Sequence, residues 1–250
     1  MTVPAPTFRL LVVPGVTVDK WSRMWSERLP GVELQVVPAE VAQVVTLLSA
    51  EVEAGLVRLP VDRDTFDAIS LYTEVTVAVV PRDHLLTAAD ELTVADLADE
   101  TLLRPLDEVL TWTGALAVPA VDDRPATTAD AVELVAAGVG ILVVPQSLAR
   151  LHQRRDLTHR VITDAPTSSV ALAWTRDRYT DLVEEMIGIV RGRTANSTRG
   201  RTPAPAASDT ATARTPAGGR TARPTPASGH TGIRNGSPNP RKKPPHRRGQ

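Results

Sequence analysis

The sequence predicts an α/β protein in which a folded body is followed by a disordered C-terminal tail. Short apolar runs of strand length alternate with segments of helical periodicity, a pattern that favours a parallel sheet with helices on its faces. Residues 1–192 carry 16 Lys and Arg against 28 Asp and Glu, whereas residues 193–250 carry 12 Lys and Arg against one acid. The whole-chain charge of −1 therefore conceals an acidic body and a basic tail, and we expect the two parts to have different partners.

The first third of the body predicts three strands separated by two helices. Apolar runs bounded by Pro or Gly indicate the strands, and apolar residues three or four apart indicate the helices. Thr17 is in position to cap the first helix, with Asp19 in its first turn, and Gly55 is expected just after the second helix. The predicted elements are strand Phe8–Pro14, helix Val18–Leu29, strand Val32–Val37, helix Val41–Ala54 and strand Leu56–Leu59.

The rest of the body predicts further strands and helices by the same signals. Thr93 and Asp96 have the spacing of a capping box that opens a short helix. Thr128 is expected to cap a later helix, and Gly138 is expected just beyond its end. The predicted strands are Ala68–Leu71, Glu74–Val80, Leu102–Leu103, Ile141–Val144 and Val170–Trp174, and the longer predicted helices are Ala129–Ala137, Gln146–Arg155 and Tyr179–Arg191.

The composition excludes several classes of chemistry and location. The chain contains no cysteine, which excludes disulfides, thiolate catalysis and cysteine-ligated metal centres. The N-terminal residues lack the basic region and the uninterrupted apolar segment of a signal peptide, and no apolar run approaches the roughly 18 residues that span a bilayer. We therefore expect a cytoplasmic protein that does not associate with a membrane.

Several segments, taken in order, resemble the effector-binding (substrate-binding) domain of LysR-type transcriptional regulators. LPGVELQVVP resembles the family's helix end followed by P-x-V-E-L, and VVPRDHLLT resembles its P-x-x-H-P-L-A turn. ELTVADL resembles the family's L-x-D-L helix. The most diagnostic stretch, VAAGVGILVVP, resembles V-A-A-G-x-G-I-x-x-x-P.

The resemblance implies a two-lobed fold of the periplasmic-binding-protein-like (type 2) class over residues 7–192. The chain would pass between the lobes near Pro81 and near Val161–Thr163, and these two connections would form a hinge beside a ligand-binding cleft. Lobe I would comprise about residues 7–80 and 162–192, and lobe II about residues 81–161.

Regulators of this family also carry an N-terminal winged helix-turn-helix and a linker helix. Because the first strand is predicted to begin at Phe8, we expect a stand-alone effector-binding domain without that DNA-reading element. The resemblance therefore implies sensing of a small-molecule effector more directly than sequence-specific DNA binding. Domains of this family commonly pair side by side, and the sequence leaves open whether the partner is a second copy or another regulator.

Candidate ligand-binding residues lie where predicted strands end and predicted helices begin. Ligands of α/β lobes bind beyond the carboxyl ends of parallel strands, where helix N-termini present unpaired N–H groups that suit a carboxylate or another small anion. A capping role explains Thr17 and Thr128 equally well, and Arg58 could pair with Asp62 or Asp64 instead of a ligand. The candidates are Val16, Thr17, Arg58, Leu59 and Pro60 in lobe I, and Asp107, Thr127 and Thr128 in lobe II.

Nothing in the sequence favours an enzyme. The body contains three histidines, of which His84 is predicted in a turn, and His152 and His159 in or beside a basic helix end. No HExxH zinc motif, GxSxG nucleophile elbow or glycine-rich phosphate loop occurs. We therefore expect no catalytic residue, no metal and no cofactor, although an enzyme on the same scaffold is an alternative because a fold does not determine a function.

The tail, residues 193–250, lacks the apolar residues that folding requires, since Ile233 is its one large apolar side chain past Ala195. Its cations could contact nucleic-acid phosphates without reading sequence, and a solubilising extension is the alternative. The candidate contacts are Arg241, Lys242, Lys243, Arg247 and Arg248. Three functions therefore stay open: a regulatory effector-binding module whose tail contacts nucleic acid, a cytoplasmic ligand-binding protein without a DNA role, and an enzyme on the same scaffold.

Overall fold

Two five-stranded mixed sheets organise the chain, and helices pack against them. The structure is a computed structural model that describes residues 6–112 and 123–193. The α/β fold class predicted from the sequence is confirmed. We call the first sheet with its helices lobe I and the second sheet with its helices lobe II.

Lobe I is built on a sheet with the strand order β2-β1-β3-β10-β4. β1 runs parallel to both of its neighbours, whereas β10 runs antiparallel to β3 and β4. The strands are β1 (Thr7–Val12), β2 (Glu33–Pro38), β3 (Ala54–Arg58), β4 (Phe66–Glu74) and β10 (Ser168–Thr175).

Three helices belong to the core of lobe I: α1 (Asp19–Arg28), α2 (Val44–Ala50) and α5 (Asp181–Val190). The fully buried Trp25 packs against Phe8 with ring centroids 4.6 Å apart. Met186 is also fully buried in the same core. Each helix buries apolar side chains against the sheet, so the amphipathic periodicity read from the sequence is the property that fixes these helices in place.

Lobe II is built on a second sheet with the strand order β6-β9-β5-β8-β7. The central strand β5 is buried on both faces: Val77 and Val79 pack with the helices, and Ala78 and Val80 pack in a separate cluster on the other face. The strands are β5 (Thr76–Pro81), β6 (Glu91–Leu92), β7 (Leu102–Leu103), β8 (Ile141–Pro145) and β9 (Leu157–Ile162), and the helices are α3 (Thr128–Ala136) and α4 (Gln146–Leu151).

The chain passes from lobe I to lobe II at Val75, between the last residue of β4 and the first of β5. It returns through residues 163–167, between β9 and β10. The first crossing was expected near Pro81, but it lies at Val75 because β5 pairs with β8 and β9 of lobe II from Thr76 onward. Both sheets are mixed rather than parallel because β5 and β10, the first strands after the two crossings, run antiparallel to their neighbours.

Two predicted elements of lobe I differ from the observed ones. Thr17 does not cap α1, because the helix begins one residue later with Val18 at the cap position and no side-chain cap bond. The second helix ends at Ala50, and Gly55 lies inside β3 because residues 54–56 pair with β1. Pairing with the neighbouring strand therefore overrides the helical periodicity of this segment.

Helix and strand ends in lobe II are mostly where the sequence places them. Thr93 and Asp96 form the predicted capping box, and Gly138 follows the cap of α3 with φ +74°. The cap of α3 is Thr127 rather than Thr128. α4 ends at Leu151, and His159 lies in the unpredicted strand β9 rather than beside a helix.

None of the helices within the described residues is both long enough and apolar enough to cross a membrane.

Candidate functional site

A cavity of about 280 Å³ lies between the two lobes, and we call it the cleft cavity. Lobe I contributes the turn after β1, the segment after β2 and the end of β3. Lobe II contributes the loop after β7, the first residues of α3 and the last residues of α4. The lining residues are Pro14, Glu40, Val41, Arg58, Asp107, Val109, Thr127, Thr128, Ala129, Leu148, Leu151 and His152.

A second cavity of about 270 Å³ adjoins the cleft cavity, and we call it the apolar cavity. The two cavities share Val41, Arg58 and Val109 in their walls. Most of the remaining wall is aliphatic or aromatic, with Asp62 and Glu108 as its acidic residues. The other lining residues are Val13, Val44, Val45, Leu48, Val57, Leu59, Pro60, Val61 and Phe66.

The N-terminus of α3 forms one polar corner of the cleft cavity. Thr127 and Asp130 close a capping box in which the Thr127 hydroxyl donates to Asp130 Oδ2 at 2.8 Å. The buried Thr128 hydroxyl donates to Asp107 Oδ1 at 2.9 Å, which joins the loop after β7 to the helix. Both threonines are therefore held in place by the protein before any ligand binds.

Arg58 stands at the junction of the two cavities, but its guanidinium is bound by the protein itself. Nη1 donates to Glu74 Oε2 and to Ser168 Oγ, the latter at 3.2 Å. Nη2 donates to the carbonyl oxygen of Pro14 at 3.1 Å and to Ser147 Oγ at 3.0 Å. The Arg58 and Glu74 side chains are only 8% and 9% exposed, so this is a buried ion pair.

The partner that the sequence suggested for Arg58 was wrong, since Glu74 at the end of β4 takes the place proposed for Asp62 or Asp64. Asp62 instead accepts hydrogen bonds from the Thr65 hydroxyl at 2.6 Å and from the Asp64 N–H at 3.0 Å. These bonds hold the pKa of Asp62 below its usual value. Ser147 belongs to lobe II, so Arg58 also joins the two lobes.

The structure brings six of the eight predicted ligand-binding residues to these cavities. Arg58, Asp107, Thr127 and Thr128 line the cleft cavity, while Leu59 and Pro60 line the apolar cavity beside Arg58. Val16 and Thr17 line neither cavity. Val16 is buried in the core of lobe I, and Thr17 is exposed.

Gly15, in the turn after β1, lies against lobe II rather than in the wall of the cleft cavity. Gly15 has φ +84°, and a Cβ atom at this position would lie 2.7 Å from Ser147 Oγ at the start of α4. Gly15 therefore permits both the turn and the close approach of the lobes.

Sequence reasoning missed several residues that line the cleft cavity. Glu40 follows the carboxyl end of β2, and the strand-end rule used for the other candidates would have identified it. His152, Leu148 and Leu151 come from the last turn of α4, which no strand-end rule indicates. Of the other histidines, His84 Nε2 lies 3.3 Å from Glu100 Oε2, and burial lowers the pKa of His159.

Acidic side chains dominate the charge of the cleft cavity. Glu40 and Asp107 line it, and the charge of Arg58 is balanced by Glu74.

Among the described residues, no group of three or more His, Cys, Asp or Glu side chains could hold a metal ion. The five predicted tail contacts all lie outside the described residues. Arg193, the first residue of the tail, lies within them and pairs with Glu184 on α5 at 2.9 Å.

Residues 4–195 match the family model described as the LysR substrate binding domain. The chain is 25% identical over 160 residues to the Hca operon transcriptional activator HcaR of Escherichia coli (strain K12), a match that covers 59% of this chain and 53% of that protein. It is 30% identical over 141 residues to a probable hydrogen peroxide-inducible genes activator of Mycobacterium avium, covering 52% of this chain and 45% of that protein.

The matches therefore span about half the length of these curated relatives. Among solved structures, the fold is similar to that of the BenM effector binding domain with its effector benzoate. The TM-score is 0.63 at 19% identity, and the match covers 76% of this chain and 95% of that one. This likeness confirms the periplasmic-binding-protein-like fold that the sequence predicted.

Proposed function

The chain belongs to the family of LysR substrate-binding domains, and on that premise we propose that it is an effector-binding module of transcriptional regulation. The effector is a small molecule that binds in the cleft cavity. The observation that carries the proposal is that one cavity of about 280 Å³ is lined by residues of both lobes. A ligand in such a position contacts both lobes at once.

Contact with both lobes couples binding to the arrangement of the lobes. The two crossings, at Val75 and at residues 163–167, are the covalent connections around which lobe I and lobe II would rotate. A ligand shifts that equilibrium only by its difference in affinity between the two arrangements. The effector would therefore act by favouring one lobe arrangement, and a second copy or a partner regulator would bind that arrangement.

The proposal places the protein in the cytoplasm and includes nonspecific nucleic-acid contact through the basic tail. The relatives named above are transcriptional activators, which disfavours the alternatives of a plain ligand-binding protein and of an enzyme. The predicted carboxylate chemistry of the effector remains a prediction. The acidic lining of the cleft cavity favours the opposite charge.

The proposal is tested by filling the cleft cavity with a side chain. Ala129 is an exposed residue in the first turn of α3 and lines the cavity, so Ala129→Trp would occupy the space of a ligand. Ala137 is an exposed residue at the other end of the same helix and lines neither cavity, so Ala137→Trp is the matched control. The full chain is screened by thermal shift against a metabolite library that contains anionic, neutral and cationic compounds.

We expect at least one compound to raise the melting temperature of the unmodified chain and of Ala137→Trp, because ligands stabilise the folded state they bind. Ala129→Trp should lose that shift. Equal shifts in both variants would place binding outside the cleft cavity and overturn the proposal, as would a library without any binder.

A further inference from the structure

We propose that the effector is an amphipathic amine whose cationic head lies in the cleft cavity and whose apolar tail lies in the apolar cavity. This inference rests on the proposed function, because it assigns a ligand class to the same site. It follows from three features of the described residues: the residues that the two cavities share, the charge of the first and the apolar wall of the second.

The two cavities are close enough for one molecule to occupy both. Val41, Arg58 and Val109 belong to both walls, so the cavities lie side by side at these residues. Each cavity measures nearly 300 Å³, at about 280 and 270 Å³. A compact ligand would fill one of them, whereas an elongated ligand would use the shared boundary and fill both.

The charge of the cleft cavity favours a cationic head. Asp107 and Glu40 line it. Within the described residues, the Asp107 carboxylate accepts one hydrogen bond, from the Thr128 hydroxyl. The Glu40 carboxylate also accepts one, from the backbone N–H of Gln43. An ionised carboxylate can accept more than one such bond, so both retain capacity for a ligand N–H. A carboxylate head would instead meet two like charges.

Arg58 is the cation that a carboxylate ligand would need, but it is already committed to the protein. Its guanidinium donates to Glu74, Ser168, Ser147 and the carbonyl oxygen of Pro14. Withdrawing it toward a ligand would leave the buried Glu74 carboxylate without its ion-pair partner. The residue that most suggested an anionic effector in the sequence therefore contributes little to anion binding.

The apolar cavity favours an uncharged hydrocarbon tail. Leu48, Val57 and Phe66 form its buried wall, and each is at most 2% exposed. Val41 and Val45 lie at its edge and are 41% and 62% exposed. A hydrocarbon tail would remove these exposed side chains from water, which is the main favourable contribution that apolar surface can make to binding.

The test uses four probes with the full chain: hexylamine, 1-hexanol, hexanoate and propylamine. Isothermal titration measures each affinity at pH 7 in low salt. Hexylamine should bind best and hexanoate at least tenfold more weakly, because the head meets Asp107 and Glu40. Propylamine should bind about tenfold to fiftyfold more weakly than hexylamine, because burial of each methylene contributes up to roughly fourfold in affinity.

Two variants distinguish the contribution of the ligand's cationic head from that of its apolar tail. Asp107→Asn keeps an oxygen that can accept from Thr128 but removes the charge, so it should reduce the preference for hexylamine over 1-hexanol. Val45→Asn should reduce the preference for hexylamine over propylamine. Val139→Asn is the matched control, because Val139 is 45% exposed in lobe II and lines neither cavity.

If hexanoate binds as tightly as hexylamine, the assignment of a cationic head is wrong. If hexylamine and propylamine bind with equal affinity, the assignment of an apolar ligand tail is wrong. Neither result would overturn the proposed function, which predicts only that Ala129→Trp abolishes binding of whichever ligand fits the cleft cavity. Tight hexylamine binding that Ala129→Trp leaves unchanged would overturn the inference by placing the probe elsewhere.

Discussion

At the scale of single residues, the Arg58–Glu74 ion pair is the most deeply buried salt bridge among the described residues. Both side chains are almost fully buried, and Arg58 also bonds to Ser168, Ser147 and Pro14. Taking two charges out of water is costly, and removal of one partner leaves the other uncompensated. The pair is therefore better understood as fixing the position of Arg58 between the lobes than as a net source of stability.

We predict that Arg58→Met lowers the free energy of unfolding by about 3 kcal/mol, because it leaves the Glu74 carboxylate buried and unpaired. The double change Arg58→Met with Glu74→Gln should recover part of the loss, since no buried charge remains. Urea denaturation of the full chain measures each value. Arg63→Met is the matched control because Arg63 is exposed in lobe I, and a loss as large as that of Arg58→Met would contradict the prediction.

The sequence predicted the cavity residues that lie at strand ends and helix starts. It did not predict positions that depend on a tertiary contact between distant segments. Arg58, Asp107 and Thr128 reach the cleft cavity because strand ends and helix starts meet there. Thr17 lines neither cavity, and the turn before it packs on Ser147 of lobe II. No local signal in the sequence reveals that contact between segments more than a hundred residues apart.

At the scale of elements, α3 contributes both to the core of lobe II and to the wall of the cleft cavity. Its buried residues Ala131, Val132 and Val135 pack against the second sheet, and its first turn lines the cleft cavity. The capping box of Thr127 and Asp130 satisfies backbone N–H groups at that end of the helix. Loss of the cap would therefore affect both stability and the shape of the cavity.

Thr127→Ala should reduce the free energy of unfolding by about 1 kcal/mol, the typical contribution of an N-cap hydroxyl. It should also weaken binding of any cleft ligand, since Thr127 lines the cavity. Thr180→Ala is the matched control: Thr180 caps α5 with a similar bond to the Val183 N–H, but it lines neither cavity. Denaturation should show similar losses for both variants, and a similar loss of ligand affinity in Thr180→Ala would contradict the proposed role of α3.

Elements were predictable when their apolar pattern was continuous. β5 and β8 are uninterrupted apolar runs and were recognised, with small errors at their ends. β9 was missed because Thr158, His159 and Arg160 interrupt it, although its two end residues are buried. Its position between β5 and β6 supplies hydrogen-bonding partners on both sides, which a sequence pattern does not display.

At the scale of the whole molecule, the charge break near Gly192 separates two kinds of interaction. The body is acidic, and the cavity between its lobes is lined by acidic side chains, which suits a small cationic ligand. The tail carries 12 Lys and Arg against one acid, and this excess of positive charge suits a polyanion. The two parts would therefore respond to different solution conditions, since only binding to a polyanion releases many counterions.

That difference gives a prediction for the tail in the full chain. Replacing Arg241, Lys242, Lys243, Arg247 and Arg248 with Gln should weaken binding to duplex DNA of any sequence and leave the thermal shift by a cleft ligand unchanged. Each cation that neutralises a phosphate contributes about 0.9 to the slope of log affinity against log salt. The slope should therefore become shallower by up to about 4.5. Fluorescence anisotropy across a salt series measures it, with Lys20→Gln and Arg23→Gln on α1 as the control for lost positive charge in the body. An unchanged slope in the tail variant would show that these five residues do not bind nucleic acid and would contradict the predicted contact.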